Sequence, residues 1–318
     1  MATSGIGKSG AEGGIRNAIL IAGPTASGKS RLALELAERL GGVIVNADSM
    51  QVYAVLDVLT ARPSAQETAR APHLLYGHVD PSTAHSTGAW MREVSALAAS
   101  GRFAAARPIF VGGTGLYFRA LEEGMSEMPD VPDDVRRHWR TRLDDEGPET
   151  LHEVLKRMDA RAAATLRPGD SQRIVRALEV VDFSGRSILD WQAGQGSPLI
   201  DRGSARFVVI EPDRAELVTR IDRRFDAMVE AGALEEVKAL SALHLDPRVP
   251  AAKAIGVREL QAALVGEMAM DEAINRAKIA TRQYAKRQST WFRNQAGPHW
   301  QRIGWPDEAN ALDFQALR

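Results

Sequence analysis

Short apolar runs bounded by glycine alternate with amphipathic stretches along the first third of the chain. Residues 17–23 (NAILIAG) are almost wholly apolar and run into a glycine-rich turn, the pattern of a buried strand. From Lys29 the period changes. Leu32, Leu36, Ala37 and Leu40 recur on one helical face, which Gly41 and Gly42 close. Residues 42–47 (GVIVNA) predict a second strand and residues 107–111 (RPIFV) a third, with a helix over 88–100 before it. Residues 206–210 (RFVVI) predict a fourth. Strands alternating with helices predict a parallel sheet wrapped on both faces.

The pattern then changes. Residues 129–189 are helical in period, dense in arginine and acidic residues, and poor in β-branched runs. The expected organisation is a helical insertion over 123–200, left through the Gly/Pro/Ser-rich stretch 193–198, inside an α/β core formed by 17–122 and 201–318. Helices resume at Asp213 and end with a long one over 271–292. Residues 1–16 are Gly/Ser-rich without an apolar signal core and are expected to be a disordered leader, not a secretory signal.

Composition narrows the picture only a little. A chain of 318 residues suits two domains or a core with an insertion. With 44% hydrophobic and 25% charged residues, and no apolar run of membrane-spanning length, it has the make-up of a water-soluble protein. The expectation is a cytoplasmic protein with no membrane partner. The absence of cysteine excludes disulfides, thiolate zinc sites and cysteine nucleophiles. A net charge of −1 gives no global attraction for nucleic acid, so any such role must rest on local patches. Nothing demands an oligomer, and a monomer is expected.

The strongest motif is Gly23, Pro24, Thr25, Ala26, Ser27, Gly28, Lys29 and Ser30, which fits the G-x-x-x-x-G-K-[ST] phosphate loop between a predicted strand and a predicted helix. Glycines at both ends let backbone N–H groups turn toward phosphate oxygens at a helix N-terminus. Lys29 would reach the terminal phosphate, and the Ser30 hydroxyl would ligate Mg²⁺. A second GKS at residues 7–9 lacks the upstream glycine and the strand. Asp48 follows the second strand, at the end of the sheet where α/β proteins bind ligands. Three roles compete for it: general base, outer partner of Mg²⁺, or cap of the next segment.

Further stretches complete a pattern: ADSMQVY at 47–53, VGGTGLYF at 111–118, SQRIVRALEV at 171–180, RIDRRFDAMVEAGALEEV at 220–237, AIGVREL at 254–260 and TRQYAKRQSTWFR at 281–293. With GPTASGKS, they make the chain resemble the tRNA dimethylallyltransferase family, the isopentenyltransferases acting on adenosine 37, in its bacterial type. The resemblance covers about residues 17–293. It implies a phosphate-loop NTPase-like fold and transfer of a dimethylallyl group from dimethylallyl diphosphate to N6 of adenosine 37, beside the tRNA anticodon. Lys29 and Mg²⁺ at Ser30 would neutralise the departing diphosphate, Asp48 would accept a proton from the N6 amine, and Thr114 would orient these groups. Arg220 and Arg224, four apart on one helical face, match family positions near the diphosphate. Asp48, Ser49, Met50, Gln51, Thr114 and Arg136 resemble tRNA contacts. So do the stretch Gln172, Arg173, Ile174, Val175 and Arg176, and Lys253 and Arg258. Gln172, Arg173 and Arg176 fall on a helix whose other face, Ile174, Ala177 and Leu178, is apolar, which fits a core-packed helix presenting basic groups outward; without the family a plain surface helix is nearly as good a reading.

The tract 278–300 holds Lys278, Arg282, Lys286, Arg287 and Arg293 with no acidic residue, and Arg282 and Lys286 share a helical face. It is a candidate RNA-phosphate patch, or simply a solvated face. The chain also departs from the family. After QVY, the usual Arg-Gly is Ala54-Val55, and the usual Gly-Thr-Ala-Lys-Pro is Leu59-Thr60-Ala61-Arg62-Pro63. The usual His-His pair is replaced by Tyr76-Gly77-His78. The first rival activity is an ATP-using small-molecule kinase, which would need an arginine-rich lid that the sequence does not reveal.

Overall fold

A computed structural model describes residues 14–194 and 196–305. The elements run β1 (Ile19–Ala22), α1 (Lys29–Leu40), β2 (Gly42–Asn46), α2 (Ala65–Arg70), β3 (His73–Leu74), α3 (Thr87–Ala99), α4 (Arg102–Ala105), β4 (Arg107–Gly112) and α5 (Gly115–Glu123). Next come α6 (Asp133–Met158), α7 (Ala160–Ala164), α8 (Ser171–Ser184), α9 (Ile188–Gln192) and β5 (Arg206–Ile210). The chain continues through α10 (Arg214–Glu230), α11 (Ala233–Ala242), α12 (Val257–Leu264), α13 (Met270–Gln295) and β6 (Gln301–Ile303). It divides into two units, Met1–Glu122 with Leu199–Arg318, and Glu123–Pro198.

In the first unit, six strands form one sheet in the order β3-β2-β4-β1-β5-β6, and each neighbouring pair runs parallel. All four residues of β1 are fully buried, as expected of a central parallel strand covered on both faces. Leu32 and Leu36 of α1 pack on Ile19, Ile21, Ile44 and Ile109. Gly41, at φ 62°, ends α1 and turns the chain straight into β2. Beyond the sheet, Phe225, Val237, Leu260 and Ala277 from α10–α13 enclose Val52, Tyr53 and Leu56.

Two strands, β3 and β6, were not expected. They are edge pieces of two and three residues, defined by their partners β2 and β5 and not by any period of their own. The leader also needs correction. Ile15 is buried and pairs with Ile200, its N–H donating to the Leu199 carbonyl at 2.6 Å, so residues 14–16 belong to the folded unit. Residues 1–13 lie outside the described residues.

The second unit is all helix. Its core joins Trp139, Leu151 and Leu155 of α6 to Ile174 and Leu178 of α8. Gly147, at φ 79°, and Pro148 break α6 in the middle. Asp159 caps α7 through the Ala162 N–H at 3.0 Å and accepts the Ser187 hydroxyl at 2.6 Å. Trp139 donates its indole N–H to Asp182 at 3.0 Å.

Candidate active site

The phosphate loop runs from the end of β1 into α1. A Cβ on Gly23 would meet Ser27 Oγ at 2.9 Å and the Ile210 carbonyl oxygen at 3.0 Å, so only glycine lets the loop pass β5 this closely. Ala26 at φ 64° and Gly28 at φ 85° take left-handed turns that curl the loop before α1 begins. Lys29 donates to the Pro24 carbonyl at 3.1 Å. Burial lowers its amine to about 8, with the Asp48 charge opposing and Arg224 adding to the shift. Ser27 is fully buried and its hydroxyl has no partner, whereas Ser30 on the first turn of α1 is exposed.

The carboxylate and the threonine come from the neighbouring strand ends. Strand β4 lies between β1 and β2, so Asp48 is not beside the loop by direct strand pairing. The tight approach is made over β4. A Cβ on Gly112 would collide with the Ala47 carbonyl, and the Thr114 N–H donates to that same carbonyl at 3.2 Å. Asn46, fully buried, fixes the Asp48 backbone from both sides: its carbonyl side accepts the Asp48 N–H at 2.8 Å and its amide donates to the Asp48 carbonyl at 2.9 Å. Asp48 Oδ1 accepts the Met50 N–H at 2.9 Å. The Thr114 hydroxyl accepts the Ser49 N–H at 2.9 Å and donates to Ser49 Oγ at 3.2 Å, so it steadies the residue next to Asp48.

One residue missed in the sequence ties the parts together. Gln288, buried in α13, accepts the Thr25 N–H at 2.8 Å and donates to the Gly113 carbonyl at 3.0 Å. It staples the phosphate loop to the turn that carries Thr114. A polar side chain in the middle of a helix carries no local sign of such a role.

A cavity of about 310 Å³ opens against this frame. Thr25, Ala26 and Arg224 line one part, Asp48 another, and Leu59, Ile221, Phe225 and Met228 give it an apolar wall. Ile221, Phe225 and Met228 recur at i, i+4 and i+7 with Arg224 among them, a helical stripe that periodicity alone could have found. Arg224 reaches Thr25 Oγ1 at 3.5 Å, and burial lowers its guanidinium below the usual arginine range. Arg220 on the same helix stacks 4.5 Å over the Trp305 ring. Burial also pushes the Tyr284 hydroxyl, on the cavity wall, well up. The oxygen donors available near the loop, the Ser30 hydroxyl and the Asp48 carboxylate, are of the hard type that Mg²⁺ takes, and the unpartnered Ser27 hydroxyl marks the loop as a cradle for a polar guest.

The other expected contacts scatter. Met50 and Lys253 line the cavity, while Gln51 braces the following loop by donating to the carbonyls of Thr60 and Ala61. Arg258 lines a separate pocket with His244 and Gln261. Lys286 is exposed on α13, but Arg282 forms a two-pronged pair with Asp222 at 2.6 and 2.9 Å, and Lys278 pairs with Asp226 at 2.6 Å. Helix α10 therefore neutralises part of a tract that has no acid of its own. In the second unit Gln172 and Arg173 are exposed, Arg136 pairs with Asp130 at 3.6 Å, and Arg176 pairs with Glu179 at 3.2 Å. Ile174 and Val175 are buried in that unit's core. Their side chains are packing residues, which corrects the expectation of RNA contact there.

Fold and site together define a phosphate-loop α/β protein whose cradle opens onto a carboxylate and an apolar wall. Residues 51–295 match the family model described as IPP transferase, and residues 16–76 match that described as isopentenyl transferase. The chain belongs to the tRNA dimethylallyltransferase (IPP transferase) family. It is 68% identical over 303 residues to a tRNA dimethylallyltransferase of Mesorhizobium japonicum, covering 94% of each chain. It is 59% identical over 289 residues to one of a Chelativorans species, covering 91% of this chain and 99% of the relative. Among solved structures, it resembles the full-length tRNA isopentenylpyrophosphate transferase of Bacillus halodurans with TM-score 0.62, 32% identity and coverage of 91% and 89%. A eukaryotic dimethylallyltransferase acting on tRNA matches with TM-score 0.71, 29% identity and coverage of 87% of this chain and 70% of that one.

Proposed function

We propose that this chain transfers the dimethylallyl group of dimethylallyl diphosphate to N6 of adenosine 37 in tRNA, giving N6-isopentenyladenosine and releasing diphosphate. The observation that carries this reading is the single cavity in which Thr25, Ala26 and Arg224 adjoin Asp48 and the wall of Leu59, Ile221, Phe225 and Met228. An ionic head and an apolar tail are both provided for, with a carboxylate near their junction.

In this reading the loop and Arg224 hold the diphosphate, and the apolar wall holds the five-carbon chain. The N6 lone pair forms the new bond to the allylic carbon while the carbon–oxygen bond to diphosphate breaks. Asp48 takes the proton that the amine loses. Mg²⁺, held at Ser30, would supply charge neutralisation of the leaving diphosphate. Lys29, with a value of about 8, is mostly protonated at neutral pH and adds its charge there. An exocyclic amine is a weak nucleophile, so the rigid placement of Asp48 by Asn46 and of Ser49 by Thr114 contributes through orientation. The target base leaves a loop already single-stranded, at modest energetic cost. The reading includes a cytoplasmic monomer. Among the described residues no helix is long and apolar enough to cross a membrane.

Two measurements test it. Dimethylallyl diphosphate with Mg²⁺ should raise the melting temperature, and ATP with Mg²⁺ should not. Mass spectrometry of nucleosides from tRNA incubated with enzyme and donor should reveal isopentenyladenosine. A phosphorylated small molecule formed from ATP, with tRNA unmodified, would establish the kinase instead.

A further inference from the structure

Away from the cavity lining, His78, His85 and Glu93 converge where the segment after β3 meets α3. Their donor atoms all lie within 4.8 Å of one another, and no other group of three such residues does so among the described residues. Glu93 Oε1 is 3.1 Å from His78 Nε2 and 3.3 Å from His85 Nε2. In a tetrahedral site with arms of about 2.0–2.1 Å, neighbouring ligand atoms are about 3.3–3.4 Å apart. Both nitrogen–oxygen edges are thus close to the length a metal would impose. The His85 side chain is only 5% exposed, and its Nδ1 and Glu93 Oε2 are buried without a hydrogen-bond partner.

We propose that His78, His85 and Glu93 form a binding site for a transition-metal dication of the Zn²⁺ type, with water in the fourth position. Two imidazoles and a carboxylate select Zn²⁺, Co²⁺ or Ni²⁺ over Mg²⁺. The chain has no cysteine to compete for such an ion. The role is structural. The His85 N–H donates to the Tyr53 hydroxyl at 3.2 Å, Val79 exchanges bonds of 2.9 Å with Val52 and Ala54, and the Gly77 N–H donates to the Gln51 carbonyl at 2.9 Å. A metal joining this segment to α3 would clamp the strut behind the Asp48 loop.

The test uses the full chain without an affinity tag, stripped with a chelator and titrated with Co²⁺ and then Zn²⁺. One Co²⁺ per chain should bind with the visible absorption of a tetrahedral site, and Zn²⁺ should displace it and raise the melting temperature by several degrees. Excess Mg²⁺ should displace neither. His78→Ala, at a solvent-facing position, and the near-isosteric Glu93→Gln should each abolish the Co²⁺ spectrum while keeping the far-ultraviolet dichroism of the unaltered chain. Absence of stoichiometric uptake would overturn the proposal. So would undiminished Co²⁺ binding by either folded variant.

Discussion

The phosphate-loop end of the first unit and the helical second unit are held together in different ways. At the loop, position is fixed by backbone: Gly23, Gly112 and Gly113 sit where a Cβ would strike neighbouring atoms, and amides of Thr25, Asp48 and Ser49 are each satisfied by a specific side chain. In residues 123–198, position is fixed by packing of Trp139, Leu155, Ile174 and Leu178, with a few polar ties at Asp159 and Asp182. Close backbone approach permits almost no substitution, whereas a packed helical core accepts many residues of similar volume. The first unit's site is therefore the place where small changes remove function, and the second unit's core is where they remove stability.

The comparison is tested most severely by Asp48→Asn. It keeps a carbonyl oxygen for the Met50 N–H but cannot take a proton, so kcat for prenyl transfer should fall by about 10²–10⁴ with the melting temperature unchanged. Retention of activity would undo the division. Next is pH. With the Lys29 amine at about 8 in the free enzyme, kcat/KM for the donor should drop about tenfold per unit above that pH as the cation is lost. Stability moves oppositely. Because the folded value lies below the ordinary 10.5, the unfolded chain holds more protons between about 8 and 10.5, and this group's contribution to stability rises with pH across that window. Rate and denaturant midpoint measured together over that range resolve the two signs. Gln288→Leu follows. It leaves the Thr25 N–H and the Gly113 carbonyl unpaired, which should lower stability by about 1–3 kcal/mol and raise KM for the donor. The smallest effect belongs to Asp159→Ala, which removes a helix cap at about 1 kcal/mol and should leave KM untouched. An equal rise in KM for both variants would erase the distinction.

The same difference governs what the sequence discloses. The phosphate loop and Thr114 are legible because each stands beside glycines that close approach makes obligatory, such as Gly112 and Gly113 before Thr114, and Asp48 is legible because it follows the apolar run of β2. The apolar wall was within reach of periodicity at Ile221, Phe225 and Met228. Gln288 was not, since its two partners lie 263 and 175 positions away. Nor was the pairing of Arg282 with Asp222, which depends on how α10 meets α13. Val55 is a further case. Where the family resemblance leads one to expect glycine, this β-branched residue holds φ 75°, a conformation that local preference disfavours and the surrounding loop imposes.

The Gln288 staple also sets an order of events at the ribosome. Thr25 emerges early, yet its amide finds its partner only after 263 more residues have been made. At about 5–20 residues per second, that delay is roughly 13–50 s. Throughout it, the nascent chain carries an unfinished cradle, and binding competence arrives only when the last long helix docks.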